Sequence, residues 1–285
     1  MATQWANTVN SSLFTFVVGP EGREFTIHSG AVLRLSPYFD ALINGPMKEA
    51  GDRRVVWDDI DEETFAAFSQ FAYAGHYATP DLPTSAPEPG EIGEARSSYA
   101  SRSETFNYSC GRSKRTVLGW EQDFRAKLDE RREADTAAYC TLENFVVYAR
   151  LQLQPLPENL FINARSLLLH AKLYVLADRY CIDALKDLAL GKLHRTLLRA
   201  RLDLYASDCF CELVRFAYTN TRTTKGLDQD KLRGLLVAFG ACVFDWFLYN
   251  SAFRDLLRDH SEFGLGILIK LSLVQDEVNQ VYLGG

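Results

Sequence analysis

A long polar stretch divides this chain between two hydrophobic parts, and that division constrains the fold more than any other feature. From Pro80 to about Asp135 the sequence is rich in proline, serine, glycine and charge, a composition typical of loop or disorder. Apolar residues at strand or helix spacing precede and follow it. We therefore expect one large or two modest folded units, with a polar, partly disordered insert at residues 79–164.

The first hydrophobic part predicts a hairpin followed by short helices. Apolar and polar residues alternate over residues 14–18 and 25–27, and residues 19–22 read Gly-Pro-Glu-Gly, which is turn chemistry. Helical spacing from Val32 to Ile43 is interrupted at Pro37. We expect a helix ending near Leu35 and a second with Ser36 as its N-cap, ended by Asn44-Gly45-Pro46.

A strand and a longer helix complete this part. Arg54 to Trp57 reads as a short strand. Asp61 stands where an N-cap belongs, with two glutamates after it that suit the start of a helix. Gly75 is the expected C-cap of this helix.

The second hydrophobic part is helical throughout. Its apolar residues recur at intervals of three and four. This period predicts helices around residues 167–180, 185–197, 210–217, 232–247 and 253–257.

Composition and charge exclude several classes of protein. The net charge is −6, whereas a nucleic-acid binder is expected to be basic. The longest apolar run, Leu235 to Tyr249, is too short to span a bilayer and contains Asp245. The N-terminus lacks the features of a secretory signal. We expect an intracellular protein with its six cysteines reduced, leaving cytoplasm or nucleus open.

No motif assembles an active site. The five histidines form no HExxH pattern, and Cys209 and Cys211 lie two apart on a predicted helix, where side chains do not face each other. The acidic run from Asp58 to Glu63 lies over a helix start, so capping and solvation explain it. We expect no cofactor, no metal and no enzymatic activity. An enzyme is a remote alternative, which a deep cleft gathering histidine and carboxylate side chains would favour.

Five separated elements, in order, resemble the BTB/POZ domain. They are Phe25-x-Ile27-His28, Ser36-Pro37-Tyr38-Phe39, Gly45-x-Met47-Lys48-Glu49, Asp59-Ile60-Asp61 and Phe71-Ala72-Tyr73-Ala74-Gly75-x-Tyr77. The sequence of residues 55–62 looks especially like that of the large fungal branch of the family. Residues 167–197 look like the closing helices of the same domain, and residues 213–221 resemble the helical region that follows it in fungal members.

The resemblance implies an α+β fold, in which a small sheet is flanked by helices, and a role in protein–protein contact. We expect a BTB/POZ fold interrupted by a long insert and followed by an all-α extension. The expected parts are an N-terminal tail (1–12), the first part of the BTB/POZ domain (13–78), the insert (79–164), the closing helices (165–199) and the C-terminal helical extension (200–285).

The resemblance also indicates candidate partner-binding residues. In adaptors of cullin-3 ubiquitin ligases a hydrophobic-x-Glu motif docks the cullin, and Met47-Lys48-Glu49 fits that spacing. An exposed, flexible Met fills a shallow pocket while a Glu accepts a charge-assisted hydrogen bond; the alternative is that both simply belong to the fold. Tyr73 lies in a segment that lines the same surface in the family, and its alternative is a core aromatic. His28 is expected to be a structural junction residue.

Departures from the family leave the partner open. Ser11 or Ser12 stands where many members carry an aspartate that recruits corepressors. About a dozen residues precede Phe14, so a strand-swapped dimer is not expected. The leading hypothesis is a substrate adaptor for a cullin-3-type ligase. The alternative is a scaffold or transcription-associated regulator without a ubiquitin role, for which the basic cluster Gly111 to Arg115 is the only local hint.

Overall fold

A computed structural model describes residues 2–79, 164–198, 204–222 and 230–283. The predicted insert, apart from its two end residues, and the basic cluster at 111–115 lie outside the described residues. The first part contains α1 (Ala2–Val9), β1 (Leu13–Val18), β2 (Arg23–His28), α2 (Ser29–Val32), α3 (Pro37–Asn44), α4 (Lys48–Asp52), β3 (Arg54–Trp57) and α5 (Glu62–Ala74). The second contains α6 (Ala164–Arg179), α7 (Asp183–Leu198), α8 (Leu204–Asn220), α9 (Lys231–Phe247), α10 (Ser251–Asp259) and α11 (Ser261–Leu283).

The three strands form one sheet in the order β2-β1-β3. β1 pairs antiparallel with β2, with Phe16 opposite Phe25, and parallel with β3, with Phe16 opposite Val55. Side chains alternate between the faces of a strand, so Phe14, Phe16 and Val18 all point into the core and are buried. The predicted hairpin and third strand are confirmed.

Local signals at the helix ends are mostly confirmed. The Asp61 carboxylate accepts a hydrogen bond from the Thr64 N–H at 2.9 Å and caps α5. Gly75 ends α5 at φ +73°, a conformation that glycine adopts without steric cost. Ser36 is the N-cap residue of α3, but its hydroxyl makes no capping bond and is buried without a partner among the described residues. The prediction that Ser36 is the N-cap residue, with Pro37 at the first helical position, is therefore confirmed, although the Ser36 hydroxyl does not take part.

Three helices were not predicted. The predicted tail contains α1, residues around the Met-x-Glu motif form the five-residue α4, and α11 follows the helix that was expected to be the last. Gly266 of α11 packs so closely on α9 that an added Cβ would lie 3.0 Å from a methyl of Val237. The absence of a side chain at Gly266 therefore allows α11 to pack closely on α9.

The second part packs directly on the first. α6 contacts α5, α7 and α8, and the buried residues of both parts form one continuous cluster from Phe14 to Ile267. The expected fold class, a small sheet with helices followed by an all-α region, is confirmed. Within the described residues no helix is long and apolar enough to cross a membrane, and no three histidine, cysteine or carboxylate side chains gather at a site for a metal ion.

Candidate functional site

Met47 lies at the N-cap position of α4 with its side chain in solvent. The residue is 65% exposed. Its backbone carbonyl accepts hydrogen bonds from the N–H groups of Ala50 and Gly51, at 3.2 and 3.4 Å. The backbone of Met47 is thus fixed by the helix it starts, while its flexible thioether side chain is available for contact.

Glu49 is a half-buried carboxylate in the first turn of α4. No cation of the described residues lies within ion-pair distance of it, although its helix neighbour Asp52 pairs with Lys48 at 3.9 Å. A carboxylate that is partly desolvated and unpaired retains its capacity to accept a charge-assisted hydrogen bond. Glu49 therefore has the chemistry expected of a residue that meets a basic group on a partner.

Tyr38 lies on α3, which packs against α4. Its ring makes an edge contact with Phe39 at 5.5 Å between centroids and a tilted contact with Tyr180 at 4.8 Å. Burial raises the pKa of the Tyr38 hydroxyl, the negative charge of Glu49 raises it further, and the positive charge of Arg179 opposes the shift. A tyrosine at neutral pH therefore stays protonated here and keeps its O–H as a donor.

Tyr180 supports this surface from beyond the insert. It stacks on Trp57 with 4.6 Å between centroids and an interplanar angle of 9°, and burial raises the pKa of its hydroxyl to about 12. The preceding residue, Arg179, forms an ion pair with Asp59. The surface that carries Met47 and Glu49 is therefore built from both sides of the insert.

Tyr73 contacts a different group of residues. Its oxygen accepts a hydrogen bond from the His28 backbone N–H at 2.9 Å and shares another with His28 Nδ1 at 2.8 Å. Its ring meets the edge of Trp5 at 6.4 Å. The structure thus brings Met47 and Glu49 together on α4 and places Tyr73 beside α1 and the end of β2. His28 has the junction position that the sequence predicts.

An apolar patch surrounds the start of β1. Trp5 is 57% exposed, and Val9 and Leu13 are also largely exposed. Trp5 and Val9 lie four residues apart and so share one side of α1. Large exposed apolar side chains grouped in this way mark interaction surfaces.

The acidic run ahead of α5 pairs with a row of cations on α6. Asp59, Asp61 and Glu63 form ion pairs with Arg179, Lys172 and Arg165 respectively. The three cations are spaced by seven residues, which puts them on one side of a helix. Capping by Asp61 was predicted, but this pairing was not, because its partners lie more than 100 residues away.

A cavity of about 290 Å³ opens at this junction, lined by Asp61, Glu63, Thr64, Arg165, Leu168, Leu169 and Lys172. Burial raises the pKa of Asp61, but hydrogen bonds from Lys172 and Thr64 outweigh that effect and hold the pKa below its ordinary value. The carboxylates of Asp61 and Glu63 are thus already ion-paired, and the lining contains no histidine. This cavity lacks the poised acid and base that would favour an enzyme.

One buried polar cluster lies where the chain enters the insert. Tyr77 and His170 Nδ1 share a hydrogen bond of 2.8 Å, and Lys192 Nζ donates to the Tyr77 carbonyl and lies 4.2 Å from the centroid of its ring. Burial, followed by the charges of Lys192 and Arg195, lowers the pKa of His170 to about 4. His170 is therefore neutral at physiological pH and acts as a structural residue.

The comparison with protein families covers the first part of this architecture. The family model described as BTB/POZ domain matches residues 10–86. The matched range contains all three strands, helices α2 to α5, and the residues Met47, Glu49 and Tyr73. Tyr180 and Arg179, which complete the surface around Tyr38, lie outside it.

Proposed function

We propose that this chain, whose residues 10–86 match the BTB/POZ domain family, is an intracellular substrate adaptor that docks a cullin-3-type ubiquitin ligase. A BTB/POZ domain is a protein–protein interaction module and is generally not an enzyme. In the proposal Met47 fills an apolar pocket of the cullin and Glu49 accepts a hydrogen bond from a basic side chain. The observation that carries it is the pairing of an exposed Met with an unpaired, half-buried carboxylate on one short helix.

Direct binding to a purified N-terminal segment of cullin-3, measured by isothermal titration calorimetry, tests the proposal. Glu49→Lys should weaken binding at least about tenfold, because it replaces the acceptor by a like charge in a partly desolvated contact. Glu21→Lys, the same substitution in the exposed β1–β2 turn, is the matched control. Failure of the unaltered chain to bind, or equal binding by the Glu49 variant, contradicts the adaptor role.

An adaptor needs a second surface for its client, and we assign it to the C-terminal helices. Leu265, Leu268 and Ile269 are all more than half exposed, and their spacing puts them on one side of α11. In a pull-down, the double variant Leu265→Glu, Ile269→Glu should lose client proteins while it retains the cullin. If the double variant still binds both its clients and the cullin, the C-terminal helices are not the client-binding part, which would leave the insert.

A self-associating scaffold is the second candidate function. The exposed apolar patch of Trp5, Val9 and Leu13 favours it. Tyr73, the third proposed partner-binding residue, borders this patch through its ring contact with Trp5. Because its hydroxyl is already bonded to His28, Tyr73 would contribute its half-buried ring to the interface. Light scattering after gel filtration should show a dimer that Trp5→Glu converts to monomer. A monomer in the unaltered chain would contradict the scaffold.

A transcription-associated role is the nuclear form of this second candidate. Its support is the basic cluster Gly111 to Arg115, a composition typical of nuclear import signals. A fluorescent fusion should accumulate in the nucleus and lose that accumulation when the cluster is replaced by serines. A fusion that stays cytoplasmic in both forms contradicts it.

A further inference from the structure

We infer that Tyr38 is a further partner-contact residue of the surface formed by Met47 and Glu49, and that this surface fits a partner segment with a basic side chain next to an apolar one. The inference rests on the proposed function and deepens it. It adds a specific residue and a chemical description of the partner, and it includes supporting residues that lie outside the range matching the family.

Tyr38 has the exposure and rigidity of an interface anchor. It is 40% exposed, yet its ring is held against Phe39 and Tyr180. A ring already fixed by packing loses little conformational entropy when a partner covers it. Tyrosine is also among the residues that most often dominate binding energy.

The three side chains offer complementary chemistry at one place. Met47 provides a flexible apolar contact, Tyr38 a rigid aromatic face with an O–H donor, and Glu49 an acceptor with a negative charge. Helix α3, which carries Tyr38, packs directly against α4, which carries Glu49, and the negative charge of Glu49 raises the pKa of the Tyr38 hydroxyl. Since Glu49 has no cation among the described residues, whereas Asp52 and Asp59 each have one, charge complementarity favours a basic group on the partner.

The support for Tyr38 comes from the segment after the insert. Tyr180 lies between Trp57 of β3 and Tyr38 of α3, with centroid distances of 4.6 and 4.8 Å. Arg179 holds the end of α6 in place through Asp59. The full chain, and not the matched range of residues 10–86 alone, therefore forms this surface.

The test measures binding of the full chain to the same cullin-3 N-terminal segment, with Tyr38→Ala as the variant. Tyr38→Gln is the second variant, because its longer side chain keeps part of the contact with Tyr180 if the alanine variant fails to fold. Tyr249→Ala removes an equally large and more exposed ring from the loop after α9 and is the matched control. We expect at least about tenfold weaker binding for each Tyr38 variant, a hot-spot effect, and no change for Tyr249→Ala.

The outcomes separate this inference from the proposed function. If Glu49→Lys abolishes binding while a folded Tyr38 variant binds within twofold of the unaltered chain, the inference is overturned and the adaptor role stands. If the unaltered chain does not bind the cullin segment, both are overturned. If Tyr249→Ala weakens binding as much as Tyr38→Ala does, the loss is not specific to this surface and the inference is also overturned.

Discussion

Replacing Tyr77 by phenylalanine tests how strongly the two sides of the insert are joined. The hydroxyl of Tyr77 is the hydrogen-bond partner of His170 Nδ1 at 2.8 Å. His170 is 0% exposed, and its other ring nitrogen, Nε2, is buried without a partner among the described residues. Removing one oxygen atom would therefore leave the imidazole with no hydrogen bond at either nitrogen.

The expected cost follows from burial. A hydrogen bond contributes about 1 kcal/mol net, but a buried polar group left unpaired costs about 1–3 kcal/mol, because water cannot reach it. We expect Tyr77→Phe to lower the free energy of unfolding by about 2 kcal/mol. The ring itself stays in place under Lys192, since phenylalanine keeps the same shape.

Urea denaturation at pH 7, followed by circular dichroism, measures this loss. The chain supplies its own control in Tyr73→Phe, which removes a hydroxyl bonded to His28 Nδ1 at the same 2.8 Å and also to the His28 backbone N–H at 2.9 Å. Both Tyr73 and His28 are partly exposed, so water replaces the lost group and the cost should stay below about 1 kcal/mol. Equal losses for the two variants would refute the reasoning from burial.

Three other predictions concern the fold. The pKa of His170 is about 4 in the folded state and about 6.5 in the unfolded chain, so only the unfolded chain is protonated between these values, and the free energy of unfolding decreases by up to about 3 kcal/mol as the pH falls from 6.5 towards 4. In His170→Gln the urea midpoint should therefore depend less on pH between pH 7 and pH 5. The same pH dependence in the variant and the unaltered chain would contradict this. Cys181 has φ +55°, so Cys181→Gly should raise the free energy of unfolding by about 0.5–1 kcal/mol, and a fall in the melting temperature would count against it. Gly266→Ala should lower the free energy of unfolding by about 1–3 kcal/mol, because the added Cβ would press on Val237. Gly191→Ala, with open space around it, should raise the free energy of unfolding by up to about 1 kcal/mol. A rise at both positions would show that α9 and α11 are less closely packed.

Elements with local signals were the ones that the sequence could predict. The hairpin followed from alternation and a turn, and α5 from the carboxylate of Asp61 and the glycine at position 75. α1 was missed because residues 2–9 have no acidic residue in the first turn and no basic residue in the last. α4 was missed because it is only five residues long and contains Gly51.

The surface around Met47 was predictable only in part. Met47 and Glu49 could be found from their spacing within a recognisable motif. The contact between Tyr38 and Tyr180 joins residues on opposite sides of the insert, and no local pattern encodes it. The same holds for the row of cations on α6, whose spacing was visible but whose acidic partners could not be assigned without the fold.

The joining of α5 to α6 has a consequence for how the protein is made. The histidine that bonds Tyr77 is synthesised 93 residues after it, which corresponds to roughly 5–20 seconds of translation at about 5–20 residues per second. During that interval the apolar side of α5, with Phe68 and Phe71, has been made but the helix that covers it has not. Exposed apolar surface makes incompletely folded chains prone to aggregation, so a chain that ends within the insert should aggregate more readily than the full chain.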